Sequence, residues 1–463
     1  NIIIKDNNNF GEDDLHFILS YIRDNISCDL IHLSCGIPEC YSGYSDIENK
    51  TAVSKESSFP ISCNTKMITA LLDYDTIDID RPINDYCKIS FSNSYVTENI
   101  ALRDLLCHRS GIHPNSLWTY LMREHDFADA IDTIHKLKTD SFRDKYIYSN
   151  LTYSIVGYIL ERLFKCSYKK IVFDELLKKI GIKKYAFYEK DDAQNKENIN
   201  AKPYFTKQGH YELGRLLNYQ LLNPATGLIL DIEEAVKIPL YMLSLSTSGK
   251  CKNFFIPNII SNTHKLYKEN GYEKYALGLY HKEVYNYDVY YHNGYIVGYS
   301  SFIGFIPKLR CGIVILTNHE KSVFPRIVAY KALELLLGIN GPNWSSRLLR
   351  EQQCGEHYKL SFEKRINENY DSLSSNEYFS IIFNKYGLSG KINLLDRNII
   401  INDKKFEISL LNQNEYYTYI AHINDYLRIR LENDILTFAG TNIIDLIDFS
   451  NNDYNIQLIG KVD

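Results

Sequence analysis

The sequence predicts a mixed α/β (α+β) fold, in which an antiparallel sheet flanked by helices carries an all-helical subdomain and is followed by a small all-β C-terminal domain. Apolar residues at helical spacing predict helices at 12–24 and 324–337, near the two ends of the first part. Four β-prone runs lie between these helices, within 276–317. Beyond 376 the pattern changes to short β-prone runs, which indicates a second domain.

The other elements follow from the same periodicities, taken in chain order. Strands are expected at 28–35 and about 40–53, and helices at 63–74, 100–107, 127–137, 151–165 and 231–245. A polar stretch rich in Asn and Lys predicts a loop at 191–200. Strands of the sheet are expected at 276–283, 287–293, 299–306 and 311–317, with a turn at Pro307-Lys308. The C-terminal runs at 377–384, 392–401, 405–411, 415–422, 426–432 and 434–440 are typical of an antiparallel barrel or sandwich.

These elements divide the 463 residues into three parts. We expect a main domain at 1–340, with its helical subdomain at about 75–230, then a connector at 341–375 and a β-rich domain at 376–463. A chain of this length can bury a large core in more than one domain. The last domain is expected to shape a cleft or to mediate self-association.

Composition excludes several classes of protein. The formal net charge is −5 and no basic cluster is present, so nucleic acid is not an expected partner. No apolar run approaches the length of a membrane span. Neither an H-E-x-x-H motif nor Cys/His ligand spacing occurs, so we expect no metal and no other cofactor. Ten cysteines are scattered without a C-x-x-C pair, which favours a reducing compartment.

Chemistry is concentrated at residues 59–71, which read FPISCNTKMITAL. Residues three apart lie on one helical face, so Cys63 faces Lys66, and a lysine there can take a proton from a nucleophile. The segment resembles the nucleophile helix of the serine β-lactamase and penicillin-binding-protein family, F-x-I-(G/A)-S-x-(S/T)-K-x-(F/I)-T-A, with Cys63 in place of the serine. Ser62, four residues before Lys66, is the rival nucleophile. A shift of one residue would break the other matches of the segment.

Further motifs of that family follow in the family's order, and the resemblance covers about residues 25–345. The turn at 43–48 (GYSDIE), the segment 102–112 (LRDLLCHRSGI), the segment 146–153 (YIYSNLTY), the segment 224–228 (PATGL) and the strand 291–294 (YHNG) with 298–302 (GYSSF) each match. A histidine in place of Lys-Thr-Gly in the strand motif indicates the class C-like and esterase-like branch. His108 and Ser110 are interpreted as structural, bracing a turn at Gly111.

The resemblance implies a role for each remaining site residue. Tyr148 would shuttle a proton if a neighbouring ammonium lowers its pKa, and Asn150 would bond a substrate amide. His292 and Gly294 share one strand face, and Gly294 would leave room for an acyl group. An oxyanion hole would use the backbone N–H groups of Cys63 and Tyr295.

Together these residues predict an acyl hydrolase or transferase that acts on an amide, ester or β-lactam carbonyl through an acyl-enzyme on Cys63. The substrate would be a small molecule or a peptide. The alternative is a catalytically impaired protein that keeps the β-lactamase-like fold for binding or for a structural purpose.

Overall fold

The computed structural model describes residues 2–4, most of 40–344 and eight strands between 378 and 461. Within 40–344 the residues not described are 73–76, 113–126, 138, 140, 190–191, 208–209, 215, 217–219, 249–251, 258, 261–272, 321, 340 and 342–343. The predicted helix at 12–24, the predicted strand at 28–35 and most of the connector lie outside the described residues.

A mixed eight-stranded sheet forms the centre of the main domain. The strands of this part are β1 (Ile2–Ile4), β2 (Cys40–Ser42), β3 (Tyr44–Asp46), β4 (Thr51–Ala52), β5 (Phe59–Pro60), β6 (Tyr204–Lys207), β7 (His210–Leu213), β8 (Ile229–Leu230), β9 (Ile259–Ile260), β10 (Lys274–Tyr275), β11 (Tyr280–Val284), β12 (Tyr287–Ile296), β13 (Tyr299–Ile306) and β14 (Cys311–Thr317). Their order in the sheet is β2-β1-β14-β13-β12-β11-β10-β9. Pairing is antiparallel from β9 to β14, as predicted, whereas β1 is parallel to both of its neighbours.

The α-helices pack around this sheet, and all but the last of them precede strands β9–β14 in sequence. They are α1 (Thr65–Ala70), α2 (Ser94–Asn99), α3 (Leu102–Leu106), α4 (Phe127–Asp132), α5 (Asn150–Phe164), α6 (Tyr168–Val172), α7 (Lys178–Ile180), α8 (Asp192–Asn198), α9 (Asn223–Thr226), α10 (Ile232–Ala235), α11 (Lys237–Ser248), α12 (Lys252–Phe255) and α13 (Phe324–Leu337). Short 3₁₀ turns cover Ser62–Asn64, Ile83–Asp85, Ile134–Lys136, Gln220–Leu222 and Pro307–Leu309, and a π turn covers Phe173–Leu177. The regular elements described between 75 and 230 are mainly helices and short 3₁₀ turns, but strands β6, β7 and β8 also lie there, so this segment is not all-helical as predicted.

The sheet has two buried faces, because side chains of a strand alternate between them. Phe302 and Ile306 of β13 pack with α13, whereas Ile303 and Phe305 join the larger core on the other face. The turn predicted at Pro307-Lys308 is present as a 3₁₀ turn. Among the described residues, none of the helices combines the length and the apolar character that crossing a membrane requires.

Two local predictions were wrong. Residues 192–198 form helix α8 and not a loop; this polar helix has no apolar stripe, and it is tied down instead by the buried Asn195, whose amide bonds both the N–H and the carbonyl oxygen of Glu189. The helix predicted at 63–74 begins as a 3₁₀ turn, and α1 ends at Ala70.

The C-terminal part is a closed barrel of eight antiparallel strands. They are β15 (Tyr378–Phe383), β16 (Leu388–Asn393), β17 (Asn398–Ile401), β18 (Lys404–Asn412), β19 (Glu415–Ile420), β20 (Asp425–Glu432), β21 (Ile435–Gly440) and β22 (Tyr454–Lys461). β22 closes the ring by pairing with both β21 and β15. The run expected at 392–401 contains a break between β16 and β17, and β22 was not predicted. The domain boundaries given above remain predictions.

Candidate active site

A strained turn presents Cys63 at the edge of the sheet. The preceding residue, Ser62, has a φ of +52°, which is uncommon for a residue with a side chain. Ser301 on β13 donates a hydrogen bond to the carbonyl oxygen of Ile61 at 2.9 Å, and Asn64 donates to Ser301 at 2.8 Å and to Ile61 at 3.0 Å. The turn is therefore fixed to the sheet from both ends. Strain of this kind concentrates at functional sites.

The two candidate nucleophiles have different surroundings. Ser62 is fully buried, and its Oγ lies 3.5 Å from the carbonyl oxygen of Pro60, within its own turn. The Sγ atom of Cys63 lies 3.9 Å from the carbonyl oxygen of Tyr295 on β12. The thiol also lies close enough to Lys66 and to Tyr148 to affect the pKa of each. The structure thus groups Cys63, and not Ser62, with the other predicted site residues.

Lys66 is fully buried beneath Cys63. Its Nζ donates to Oδ1 of Asn150 at 2.5 Å and to the carbonyl oxygen of Ala225 at 3.2 Å. Burial lowers the pKa of Lys66 from 10.5 to about 8, and the neighbouring Cys63 opposes this shift in part. A lysine with such a pKa loses its proton readily and can act as a base near neutral pH.

Tyr148 and Asn150 reach the site because Tyr148 just precedes α5 and Asn150 begins it, and this helix end lies against Lys66. The Nζ of Lys66 lies 4.8 Å from the centre of the Tyr148 ring, over its face. Burial, together with the nearby Cys63, raises the pKa of Tyr148 well above 10. The ammonium that was expected to lower this pKa does not do so. Tyr148 therefore stays protonated and is suited to donate a proton.

His292 belongs to the wall behind the site. Its Nδ1 lies 2.6 Å from the carbonyl oxygen of Asn293, which can only accept, so Nδ1 carries the proton and Nε2 accepts from the hydroxyl of Tyr275 at 3.0 Å. Burial and the nearby Lys66 lower the pKa of His292 to about 3, so the ring is neutral. Both ring nitrogens already have protein partners. Neither nitrogen is therefore free to make the predicted contact with substrate.

Gly294 is needed for a reason other than the one predicted. A Cβ at this position would lie 2.1 Å from Oγ of Ser301 and 2.6 Å from the carbonyl oxygen of Ile61. The space beside Gly294 is thus filled by the turn that carries Cys63, and not left open for an acyl group. The glycine allows β12 to approach this turn closely.

Next to Gly294, β12 has one edge without a strand partner. Pairing with β11 runs from Val284↔Tyr287 to Tyr280↔Tyr291, so in the described part of the chain residues 292–296 have β13 as their strand neighbour on one side alone. The Cys63 turn faces the other side. The structure therefore brings together Cys63 and Tyr295, the residues whose N–H groups are predicted to form the oxyanion hole.

An aromatic enclosure around Lys66 was missed by the sequence analysis. His108 packs on Tyr148, with ring centres 4.4 Å apart, and on Tyr275 at 4.9 Å. Tyr280 packs on His292 at 5.0 Å and shares a hydrogen bond with Tyr146. Of the aromatic side chains here, Tyr148 and Tyr153 lie against Lys66, with the centre of the Tyr153 ring 5.4 Å from its Nζ. Burial of Lys66 is what lowers its pKa. The motifs at 102–112 and 146–153 were the available signal for His108 and Tyr146, whereas Tyr275 and Tyr280, among 38 tyrosines in the chain, gave none.

In the part of the chain that the structure describes, no group of three or more His, Cys, Asp or Glu side chains is arranged to hold a metal ion. The chemistry available at this site consists of a thiol, a buried amine and a phenol.

Comparison with known proteins agrees with this architecture. Residues 30–228 match the family model described as Beta-lactamase. Protein flp of Staphylococcus aureus (strain MRSA252) is 24% identical over 307 residues, which cover 62% of this chain and 58% of that protein. Unguisins hydrolase ungD' of Aspergillus campestris (strain IBT 28561) is 23% identical over 304 residues, covering 59% of this chain and 54% of that protein. The chain therefore spans less than two thirds of the length of these curated relatives.

Solved structures share the fold. The octameric penicillin-binding protein homologue from Pyrococcus abyssi has a TM-score of 0.56 at 18% identity, covering 86% of this chain and 90% of that one. D-amino acid amidase from Ochrobactrum anthropi SV3 has a TM-score of 0.52 at 19% identity, covering 64% of this chain and 89% of that one. Residues 30–228 are therefore similar to the β-lactamase family, and the fold of the chain is that of these β-lactamase-like and penicillin-binding-protein-like structures.

Proposed function

We propose that this protein is an acyl hydrolase or acyl transferase that forms a covalent intermediate on the thiol of Cys63. The observation that carries the proposal is the placement of this thiol beside both Lys66 and Tyr148, a base and an acid whose pKa values are shifted in opposite directions. Pairs of titratable groups whose pKa values are shifted in opposite directions are typical of acid–base catalysis. The amidase and hydrolase among its relatives and structural neighbours support the same reaction class.

In the first step, the neutral amine of Lys66 takes the thiol proton and the sulfur attacks the substrate carbonyl carbon. A C–S bond forms, and the carbonyl π electrons move onto oxygen. The N–H groups of Cys63 and Tyr295 would donate to this oxyanion. Asn150 holds the amine of Lys66 through both protonation states, because its amide oxygen accepts a hydrogen bond from either form.

In the second step, the bond to the leaving group breaks while Tyr148 donates a proton to the departing nitrogen or oxygen. Lys66 returns its proton to the phenolate and becomes neutral again. Water or an amine then attacks the thioester carbon and gives a proton to Lys66. When the C–S bond breaks, that proton passes to the thiolate, and the starting state is restored.

The substrate class follows from this chemistry. The site suits an amide, ester or β-lactam carbonyl in a small molecule or a peptide, and it requires no metal. We also propose self-association, supported by the octameric homologue of the same fold. Light scattering coupled to size exclusion tests this part, and a monomer over a wide range of protein concentration would contradict it.

Intact-mass spectrometry tests the acyl-enzyme. The protein is incubated with a penicillin, a cephalosporin and an activated ester, and any adduct is mapped by peptide digestion. We expect an adduct on Cys63 that is lost in Cys63→Ala and kept in Cys107→Ser, a substitution at a buried thiol of the same domain whose pKa is raised to about 12 by burial. Absence of any adduct, with Cys63 also inert to iodoacetamide, would favour the alternative of a binding or structural protein.

A further inference from the structure

His108 takes no part in the reaction steps proposed above, but it contacts the segment that contains Tyr148 and Asn150. We propose that His108 is the positioning residue of this segment: it holds the first turn of α5 in register with Lys66. The inference rests on the proposed function only where it concerns reaction rate.

The backbone of His108 makes the first contact. Its carbonyl oxygen accepts a hydrogen bond from the N–H of Ile147 at 2.8 Å. One residue on, the carbonyl oxygen of Arg109 accepts from the N–H of Arg143 at 2.7 Å. The segment that precedes Tyr148 is therefore hydrogen-bonded through its backbone to residues 108–109 before α5 begins.

The side chain of His108 makes the second contact. Its Nδ1 accepts the N–H of Ser149 at 3.2 Å and lies 3.5 Å from Oγ1 of Thr152. Ser149 is the N-cap residue that precedes α5, and its own side chain makes no capping hydrogen bond, so the imidazole satisfies a backbone N–H at this helix end. This bond lies between Tyr148 and Asn150 in sequence, and so it fixes both of them.

The state of the ring supports a positioning role over proton transfer. His108 is fully buried, and desolvation, together with the nearby Lys66 and His292, keeps its pKa well below 6.5. Because Nδ1 accepts a hydrogen bond, the single ring proton is on Nε2, which has no partner among the described residues. The ring orientation is thus set by Nδ1 and by the ring contact with Tyr148.

The backbone of His108 defines suitable variants. Its φ is +59°, in the left-handed region that Asn tolerates. The Oδ1 of an asparagine also occupies about the same place as Nδ1 of histidine. His108→Asn therefore keeps the acceptor, whereas His108→Leu has nearly the same shape without it. His108→Gly accepts the positive φ freely and lacks the acceptor, which separates the loss of the hydrogen bond from backbone strain.

Hydrogen–deuterium exchange of the folded full chain tests positioning without any activity. We expect segment 147–152 to exchange faster in His108→Leu and His108→Gly than in His108→Asn, while β13 and β14 exchange equally in all three. Unchanged exchange of 147–152 in the Leu and Gly variants would overturn the proposal. Equal loss of protection across the domain would overturn it as well, because that result indicates general destabilisation.

The rate of Cys63 acylation by an activated ester gives the second readout. We expect a loss of at least tenfold in His108→Leu and recovery to within about threefold of the natural protein in His108→Asn, since a misplacement of about 1 Å costs on the order of a hundredfold. Faster exchange with an unchanged acylation rate would reduce His108 to a structural residue and overturn the positioning role. If the natural protein forms no adduct while exchange still responds as expected, the proposed function fails and the placement of the segment by His108 stands.

Discussion

Lys66 Nζ lies 2.5 Å from Oδ1 of Asn150, and this bond joins a buried amine to a neutral partner. A carboxylate in the same place would stabilise an ammonium and raise its pKa, whereas an amide oxygen adds no compensating charge. The pairing therefore leaves the lowered pKa of Lys66 in place while it fixes the direction of the amine. Several of the predictions below depend on this arrangement.

The rate of Cys63 acylation should rise with pH through a midpoint of about 8, because Lys66 must lose its proton to act as a base. Acylation by an activated ester is measured between pH 5.5 and 9.5, with spontaneous ester hydrolysis subtracted. A rate independent of pH over this range would contradict the assignment of Lys66 as the base.

Replacement of Lys66 by Met should stabilise the fold while it abolishes acylation. The pKa of Lys66 in the folded state is about 8, below its unfolded value of 10.5, so between these values the unfolded chain binds more protons and stability rises with pH. Below pH 8 the folded protein carries the full cost of the buried ammonium, at most about 3 kcal/mol. We expect a gain of about 1–3 kcal/mol in the free energy of unfolding at pH 7, reduced by the two lost hydrogen bonds.

Urea denaturation at pH 7 and at pH 10 measures this effect. The gain in Lys66→Met should be smaller at pH 10, where the natural side chain is mostly neutral in the folded state. Lys55→Met, at an exposed position, is the control and should change stability by less than about 0.5 kcal/mol. A large loss of stability in Lys66→Met at pH 7 would contradict this account.

Replacement of Cys63 by Ser should raise turnover of an ester or a β-lactam. The turn is held by hydrogen bonds from Asn64 and Ser301, so it cannot easily adjust to the larger sulfur, and an oxygen should lie closer to the geometry that the surrounding groups require. We expect a gain of about tenfold or more in kcat/KM, compared with Cys107→Ser as the control. No gain with any tested substrate would count against this interpretation of the site.

Replacement of Tyr148 by Phe should lower kcat/KM by different factors for different substrates. An amide needs protonation of its leaving nitrogen, whereas a nitrophenolate leaves without help, so we expect a loss of about 10²-fold or more for an amide and a much smaller loss for a nitrophenyl ester. Both values of kcat/KM are measured in parallel, and Tyr95→Phe at an exposed position is the control. Equal losses with both substrates would exclude Tyr148 as the proton donor.

Replacement of Gly294 by Ala should destabilise the domain and displace the Cys63 turn. The new Cβ would meet Ser301, Ile61 and Asn64 at 2.1, 2.6 and 2.9 Å, and we expect a cost of about 1–3 kcal/mol. Gly214→Ala, whose Cβ would have 3.4 Å to its nearest neighbour, should cost much less. Thermal unfolding measures both variants. Equal melting temperatures would show that the strand and the turn are less tightly packed than described.

The strands of the sheet could be predicted because the sequence of each strand alone shows its pattern of apolar residues. The runs at 299–306 and 311–317 coincide with β13 and β14, and helix α13 lies where its periodicity placed it. Helix α8 could not be found in this way, since a buried asparagine replaces the apolar stripe. Nor could β22, because its place is decided by the need to close a ring between β15 and β21.

The candidate site could be predicted only in part. Motif spacing indicated that Cys63, Lys66 and Asn150 meet, and in the structure they do. The lowered pKa of Lys66 comes from its burial, and burial depends on the folded structure. Tyr275 and Tyr280, which pack on His108 and His292 near the site, are more than 200 residues from Lys66 in sequence and belong to no motif. The direction of the shift in the pKa of Tyr148 is set by its burial and by the nearby Cys63, and only the folded structure gives this.

The C-terminal barrel has no first or last strand, since each member from β15 to β22 has a hydrogen-bonded neighbour on both sides. A closed ring of this kind offers no template on which another chain could add a strand. Association through the barrel must therefore use the complementarity of side-chain surfaces. The eight-stranded sheet differs, because it is open and, among the described residues, ends at β2 and β9.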